Sequence, residues 1–277
     1  MKEFIIEAKD IDYVYPDGTY ALSKLSISLE RGKKIAIVGS NGAGKTTLFL
    51  NLNGVYKPAK GKIVYNGQEI RYTKEETLAL RKNIGIVFQD ANVQLFSANV
   101  FQEVSFGPMN LDLPKEEVKK RVLDALEKTE VLDLKDKPTH FLSGGQKKRV
   151  AVADILAMDP NVIFLDEPTA FVDPVTSKSL MTFFDELNQE GKTLVLSSHD
   201  MDRVYPWADH VFVMKEGKII ADGLPEVIFQ DNELLIEAGL DKPWIIEAYE
   251  ELIKSKPHLK DERIPKTKEE LFALLSK

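Results

Sequence analysis

The run Gly39-Ser40-Asn41-Gly42-Ala43-Gly44-Lys45-Thr46-Thr47 constrains the fold more than any other part of this chain. It follows the short apolar stretch Ile35–Val38 and precedes a helical pattern that begins near Gly44. A G-x-x-x-x-G-K-[ST] pattern needs that setting, a turn leading from a buried strand into a helix N-terminus. Its glycines let backbone N–H groups face phosphate oxygens without Cβ interference. Lys45 supplies a cation to the β and γ phosphates, and the Thr46 hydroxyl can ligate Mg2+. The bland alternative, a glycine turn that happens to precede lysine, leaves the strand and helix flanks unexplained. The run predicts nucleotide binding; alone it fits kinases, GTPases and many ATPases.

The surrounding pattern supplies a sheet for that loop. The first third reads mostly as β: Leu25–Leu29 alternates strictly, Ile63-Val64-Tyr65 closes at an Asn66-Gly67 turn, and Ile84–Phe88 reads as a buried strand. From about Asn99 to Met158 the pattern turns helical, clearest after the start signal Pro114, where Val118, Val122, Leu123 and Leu126 form a stripe. Strand-like runs return at Val162–Leu165, Thr193–Leu196 and Val211–Met214, with a helical segment over Val175–Glu190. Such alternation implies an α/β fold, a parallel sheet with helices on its faces, and makes the helical block an insertion. After Gly223 the chain is helical again, ending in the amphipathic tail Glu269–Leu275.

Composition removes several classes of function. An apolar content of 43% over 277 residues can fill a core, so a wholly disordered chain is excluded. Without cysteine there are no disulfides, thiol catalysis or cysteine-ligated metals, and His140, His199, His210 and His258 lack metal-ligand spacing. The net charge of −7 argues against coating nucleic acid. No run approaches the roughly 20 apolar residues of a spanning helix. Met1–Glu7 meets acidic residues too soon for the apolar core of a signal peptide. The expectation is a soluble, cytosolic chain that docks onto a membrane-embedded partner.

Two further segments carry chemistry. Leu142-Ser143-Gly144-Gly145-Gln146 precedes a helical run and offers a serine hydroxyl and bare amides to an anion; its plain alternative is a helix cap. Val162-Ile163-Phe164-Leu165-Asp166-Glu167-Pro168 is a strand buried on both faces that delivers two carboxylates at its C-terminal end, where open α/β sheets bind ligands. Asp166 would hold Mg2+, and Glu167 would orient or deprotonate an attacking water. Standing alone, such an acidic pair would as readily be a solvated loop start.

With these three segments in order, the chain from about Phe4 to Gly223 resembles the ATP-binding-cassette (ABC) ATPases. The resemblance implies a P-loop NTPase (RecA-like) core with an N-terminal antiparallel β subdomain, and an α-helical subdomain inserted at about 90–158. Residues 1–223 would form the ATPase domain and 224–277 a C-terminal helical extension. ATP and Mg2+ are the implied cofactors. Tyr15, in Tyr-x-Tyr-Pro, resembles the aromatic that stacks on adenine, and Gln89 resembles the glutamine that senses Mg2+ and the attacking water. Asp173 resembles the aspartate linking two nucleotide sites, and His199 the switch histidine on the γ-phosphate. Ser143, Gly144, Gly145 and Gln146 would bind nucleotide held by a second ATPase subunit, a copy of this chain or a paralogue. Three positions depart from the pattern: Phe171-Val172 replaces a small residue and leucine, Asp154 a small residue, and Ser198 a threonine.

The segment Val87–Phe96, the run Val100–Asn110, Lys147–Ala151, Leu156–Met158 and Glu237–Asp241 are similar to ATPases of energy-coupling-factor importers, especially the cobalt and nickel branch. A vitamin importer is the runner-up. The implied partners are a transmembrane coupling protein, resting near Gln89–Phe101, and a membrane substrate-binding component, with no nucleic acid. The implied location is the cytoplasmic face of the cell membrane. The extension either packs on its own core or, as the resemblance favours, against a second subunit. A soluble ABC ATPase acting on ribosomes or DNA would be expected to show paired cassettes or a coiled-coil insertion, and a small-molecule kinase would leave Leu142–Gln146 unexplained.

Overall fold

The computed structural model describes residues 3–111, 113–260 and 262–276; Met1, Lys2 and Lys277, at the ends of the two expected units, lie outside the described residues. Strands β1 (Phe4–Val14) and β2 (Tyr20–Glu30) pair antiparallel around the Pro16–Thr19 turn. The alternation in β2 puts Leu25, Ile27 and Leu29 on its covered face. β3 (Lys34–Val38) runs into the glycine-rich loop, and α1 (Lys45–Leu52) leaves it. β4 (Lys60–Tyr65) pairs with β1 and returns as β5 (Gln68–Glu69), completing an antiparallel sheet of order β2-β1-β4-β5. Helix α2 (Lys74–Asn83) interrupts the stretch expected to be mostly β and leads into β6 (Ile84–Val87). It buries Leu80 alone, so no apolar stripe betrays it. Its signal is the capping pair: the Thr73 side chain accepts from the Glu76 backbone N–H.

The helical block comprises α3 (Ala91–Gln94), α4 (Val100–Met109), α5 (Lys115–Lys128) and α6 (Gly144–Leu156). Val100 and Val104, Val122 and Leu126, and Val150 and Ala153 give it a core of its own. The block leaves the main sheet after β6 and rejoins it at β7 (Val162–Asp166), its direct parallel neighbour. An insertion between paired strands leaves their register untouched.

The chain continues through α7 (Pro174–Gln189), β8 (Thr193–Ser198), α8 (Met201–Trp207), β9 (His210–Lys215) and β10 (Lys218–Gly223). The main sheet has order β10-β9-β3-β8-β7-β6, parallel except for the β9–β10 hairpin. Its register sets the site: Val38 lies opposite Ser198 and Asp166 opposite Ser197, so the loop after β3, the acidic pair and His199 emerge at one edge. One face packs on the antiparallel sheet and α1, where the Phe49 and Phe164 rings stack at 4.7 Å.

The other face is covered by α7, α8 and the extension, α9 (Pro225–Ile228), α10 (Asn232–Ala238), α11 (Trp244–Ser255) and α12 (Lys268–Leu275). Phe229, Leu235, Ile246, Tyr249 and Leu271 join Phe184, Tyr205 and Val211 in one apolar cluster. The extension's buried side chains therefore pack on their own core, the first of the two arrangements expected. Among the described residues, no helix is long and apolar enough to cross a membrane.

Candidate nucleotide site

Two glycines of the loop, Gly39 and Gly44, are dictated by close approach. At Gly39 a Cβ would lie 2.1 Å from the Met214 carbonyl oxygen, and at Gly44, with φ +102°, 2.7 Å from that of Ala21. Gly44 starts α1 without a side-chain cap, so the first amides of the helix meet no competing side-chain acceptor. Lys45 is buried, and its Nζ donates to the carbonyl oxygens of Gly39 (2.7 Å) and Ser40 (3.1 Å). Burial lowers its pKa, opposed by the nearby Glu167 and Asp166 carboxylates. Thr46 Oγ1 donates to Asp166 Oδ2 at 2.5 Å, and Thr47 Oγ1 meets the Tyr15 hydroxyl at 2.7 Å. Tyr15 is half-buried, edge-on to Tyr13 and Tyr56.

Asp166 and Glu167 are both buried. The Ser197 hydroxyl donates to Asp166 Oδ1, and the Ser197 carbonyl accepts from the Glu167 N–H at 3.1 Å. Glu167 adopts φ +43°, a backbone that few non-glycine residues take, and its Oε1 sits 2.8 Å from His199 Nδ1. His199 exposes most of its side chain to the edge of the sheet. A buried carboxylate between a backbone anchor and an exposed imidazole is placed to take or orient a proton from outside.

The Thr46 hydroxyl and the Asp166 carboxylate are hard oxygen donors in mutual contact, a pair that suits Mg2+. Among the described residues, no group of three or more His, Cys, Asp or Glu could hold an ion, so phosphate and water oxygens would complete this one. Gln89, expected to join it, is exposed. Its backbone is pinned instead: the buried Lys148 donates to the carbonyl oxygens of Phe88 (2.9 Å) and Gln89 (2.6 Å), and burial lowers that lysine's pKa to about 8.

The Ser143–Gln146 segment belongs to a second group, held by its own bonds. Ser143 Oγ accepts from the Gln146 N–H and Gln146 Oε1 from the Ser143 N–H, a reciprocal cap on α6. Asp173 caps α7, accepting from the N–H groups of Val175 and Thr176 and the Thr176 hydroxyl, which lower its pKa. Both segments line one open cleft of about 430 Å³ with Phe171 and Val172. The sequence-identified residues thus fall into two clusters: the loop, Tyr15, Asp166, Glu167 and His199 in one, Ser143–Gln146 and Asp173 in the other. Sequence reasoning missed Lys148 and Ser197, which join segments dozens of residues apart and leave no local pattern; their one signal is placement beside a motif.

Near Gln89 the block shows apolar groups to solvent. Val93, Phe96, Phe106 and Met109 are exposed, and Phe96 meets Phe106 edge-on at 5.0 Å. Beside them Phe101, Ser105, Met109, Leu113 and Val118 line a groove of about 660 Å³.

A family model described as ABC transporter matches residues 22–170. The energy-coupling factor transporter ATP-binding protein EcfA of Methanosphaera stadtmanae is 48% identical over 250 residues, 90% of each chain. Two other curated relatives are longer, and the chain spans 66% and 55% of their length. A solved structure of cbiO1 from Clostridium perfringens, described as part of the ABC transporter complex cbiONQ, is 44% identical. It superposes with a TM-score of 0.76 over 91% of this chain and 100% of its own. A dimeric ATP-binding cassette in a post-hydrolysis state with ADP and Pi is 27% identical, with a TM-score of 0.72, over 79% of this chain and 98% of its own.

Proposed function

Because this chain belongs to the ABC transporter ATPases, and among them to the energy-coupling-factor type, we propose that it is the ATP-hydrolysing motor of an importer. Two such cassettes close on ATP and drive a membrane coupling protein. The carrying observation is the division of the motifs into two clusters, one with phosphate loop, acidic pair and histidine, the other with Ser143–Gln146. One chain then contributes unlike halves to two sites, each sealed by its mate.

In this reading the residues from Gly39 to Thr47 cradle the phosphates, with Lys45 turning from the loop carbonyls to the β and γ oxygens. Tyr15 stacks on the adenine. Thr46 and Asp166 would hold Mg2+, with Gln89 reaching it from the exposed segment after β6, and the ion would neutralise phosphate charge. Glu167 orients and deprotonates the attacking water, and His199, hydrogen-bonded to it, contacts the γ-phosphate. Asp173, beside the mate's site, relays its state. The exposed apolar groove near Phe96–Met109 receives the coupling protein at the cytoplasmic face of the membrane. A membrane substrate-binding component supplies the cargo. For that cargo we favour cobalt or nickel ions, on the likeness of Val87–Asn110 and the cbiO1 relative. The same motor in a vitamin importer is the second reading, and the component that co-purifies from native membranes decides between them.

The test is Glu167→Gln. The amide cannot take the water's proton, so ATP binding should persist, turnover should fall at least a hundredfold, and an ATP-dependent dimer should accumulate in light scattering. Normal turnover would assign the proton to another group, and an ATP-loaded monomer would reject the two-chain site.

A further inference from the structure

The two clusters are joined by a side chain that belongs to no motif. Ser177 of α7 is fully buried, and its N–H donates to the Asp173 carbonyl, one turn earlier, at 2.9 Å. The Ser177 hydroxyl accepts from Nη1 of Arg203, on α8. Arg203 Nε donates to Asp200 Oδ2 at 2.6 Å, and the Arg203 N–H donates to Asp200 Oδ1 at 3.2 Å, which caps α8. Asp200 directly follows His199, and its own N–H donates to the Ser198 hydroxyl at 3.0 Å. One guanidinium thus spans from the helix that Asp173 begins to the residue after the histidine.

The bridge matters because little else holds the His199 ring. Its side chain is 64% exposed, so packing does not orient it. The 2.8 Å contact with Glu167 Oε1 then depends on the backbone to either side. Before His199, parallel pairing of Ser198 with Val38 fixes β8. After it, the backbone is fixed at Asp200, whose carboxylate Arg203 holds. A guanidinium suits this task, because its N–H groups diverge in a rigid plane and reach acceptors on two helices at once. Arg203 and Asp200 are each more than a third exposed, so their pair adds little to stability and acts on geometry.

We propose that Arg203 is a positioning residue for hydrolysis. It fixes Asp200, and through it the backbone of His199, to the helix that Asp173 begins. The two clusters of one chain then move as a unit when a second cassette closes. The link to turnover rests on the roles proposed for His199 and Asp173; the bridge does not.

The experiment compares wild type, Arg203→Leu, Ser177→Ala and the double variant of the full-length chain. ATPase kinetics are measured beside the imidazole NMR resonances of its four histidines, with His199 assigned by His199→Gln. Arg203→Leu should lower kcat about three- to tenfold and leave KM for ATP within about twofold, since the phosphate loop is built from β3 and α1. Ser177→Ala should act in the same direction, and the double variant should be no slower than Arg203→Leu, because both cut one bridge. The His199 resonance should move in all three while the other histidines stay in place. Asp173→Ala should shift that resonance when Arg203 is present and leave it unmoved in Arg203→Leu, a dependence that a merely structural arginine would not produce. Losses that multiply in the double variant, an unmoved His199 resonance, or a shift shared by all four histidines overturn the proposal. A His199 shift confined to the bridge variants, in a chain that hydrolyses no ATP even as wild type, would uphold the bridge while refuting the motor assignment.

Discussion

Glu167 and Phe171 share an unusual backbone, φ +43° and φ +62°, for different reasons. At Glu167 the strained backbone goes with a contact the chemistry uses, the 2.8 Å approach to His199. At Phe171 the ring is 80% exposed, so little packing compensates. A left-handed conformation costs a non-glycine residue about 1–2 kcal/mol. Glycine avoids that cost and loses about 0.5–1 kcal/mol to the greater freedom of its unfolded chain. Phe171→Gly should therefore stabilise the isolated subunit by about 0–1.5 kcal/mol, read as a higher urea midpoint at unchanged slope. A lower midpoint would show that the ring holds its neighbours in place.

At the level of elements, the α6 N-terminus combines two roles that one substitution can separate. Ser143 caps the helix through its hydroxyl and is proposed to meet nucleotide on the mate. Ser143→Arg removes a cap worth about 1 kcal/mol and projects a long side chain into the cleft beside Phe171 and Asp173. ATP binding at the variant's own loop should survive, since that loop is built from β3 and α1, while phosphate release should fall to background. Normal hydrolysis would mean that a single chain completes its own site. Legibility followed the same division between local and non-local structure. The phosphate loop, β7 with its acidic pair and the α6 cap were readable because adjacent residues carry their pattern. α2 was missed because one buried leucine makes no stripe, and β10 because an edge strand with partly covered residues shows little alternation. Its readable trace is the Glu216-Gly217 turn after β9. Gln94 joins α3 to α6 by donating to the Ala151 carbonyl, a contact between residues far apart in the chain that no local pattern announces.

For the whole molecule the extension decides how much of the chain is one cooperative unit. The sequence suggests a division at Gly223, yet Ile228, Phe229, Leu235, Ile246, Tyr249 and Leu252 belong to the same buried cluster as Phe184, Tyr205 and Val211. Each large apolar side chain uncovered forfeits about 1.5–3 kcal/mol, and net stability of a domain is only about 5–15 kcal/mol. A chain ending at Gly223 should therefore aggregate on expression or melt well below the full-length protein, with or without ATP. Dimerisation is a separable question, because Ile236 and Phe272 of the extension point outward while their helices are anchored inward. If the shortened chain keeps the full-length midpoint and loses only its ATP-dependent dimer in the Glu167→Gln background, the extension is a pairing device. If both midpoint and solubility fall, it is part of the core on which the main sheet depends, and closure of two cassettes carries it along as a rigid body.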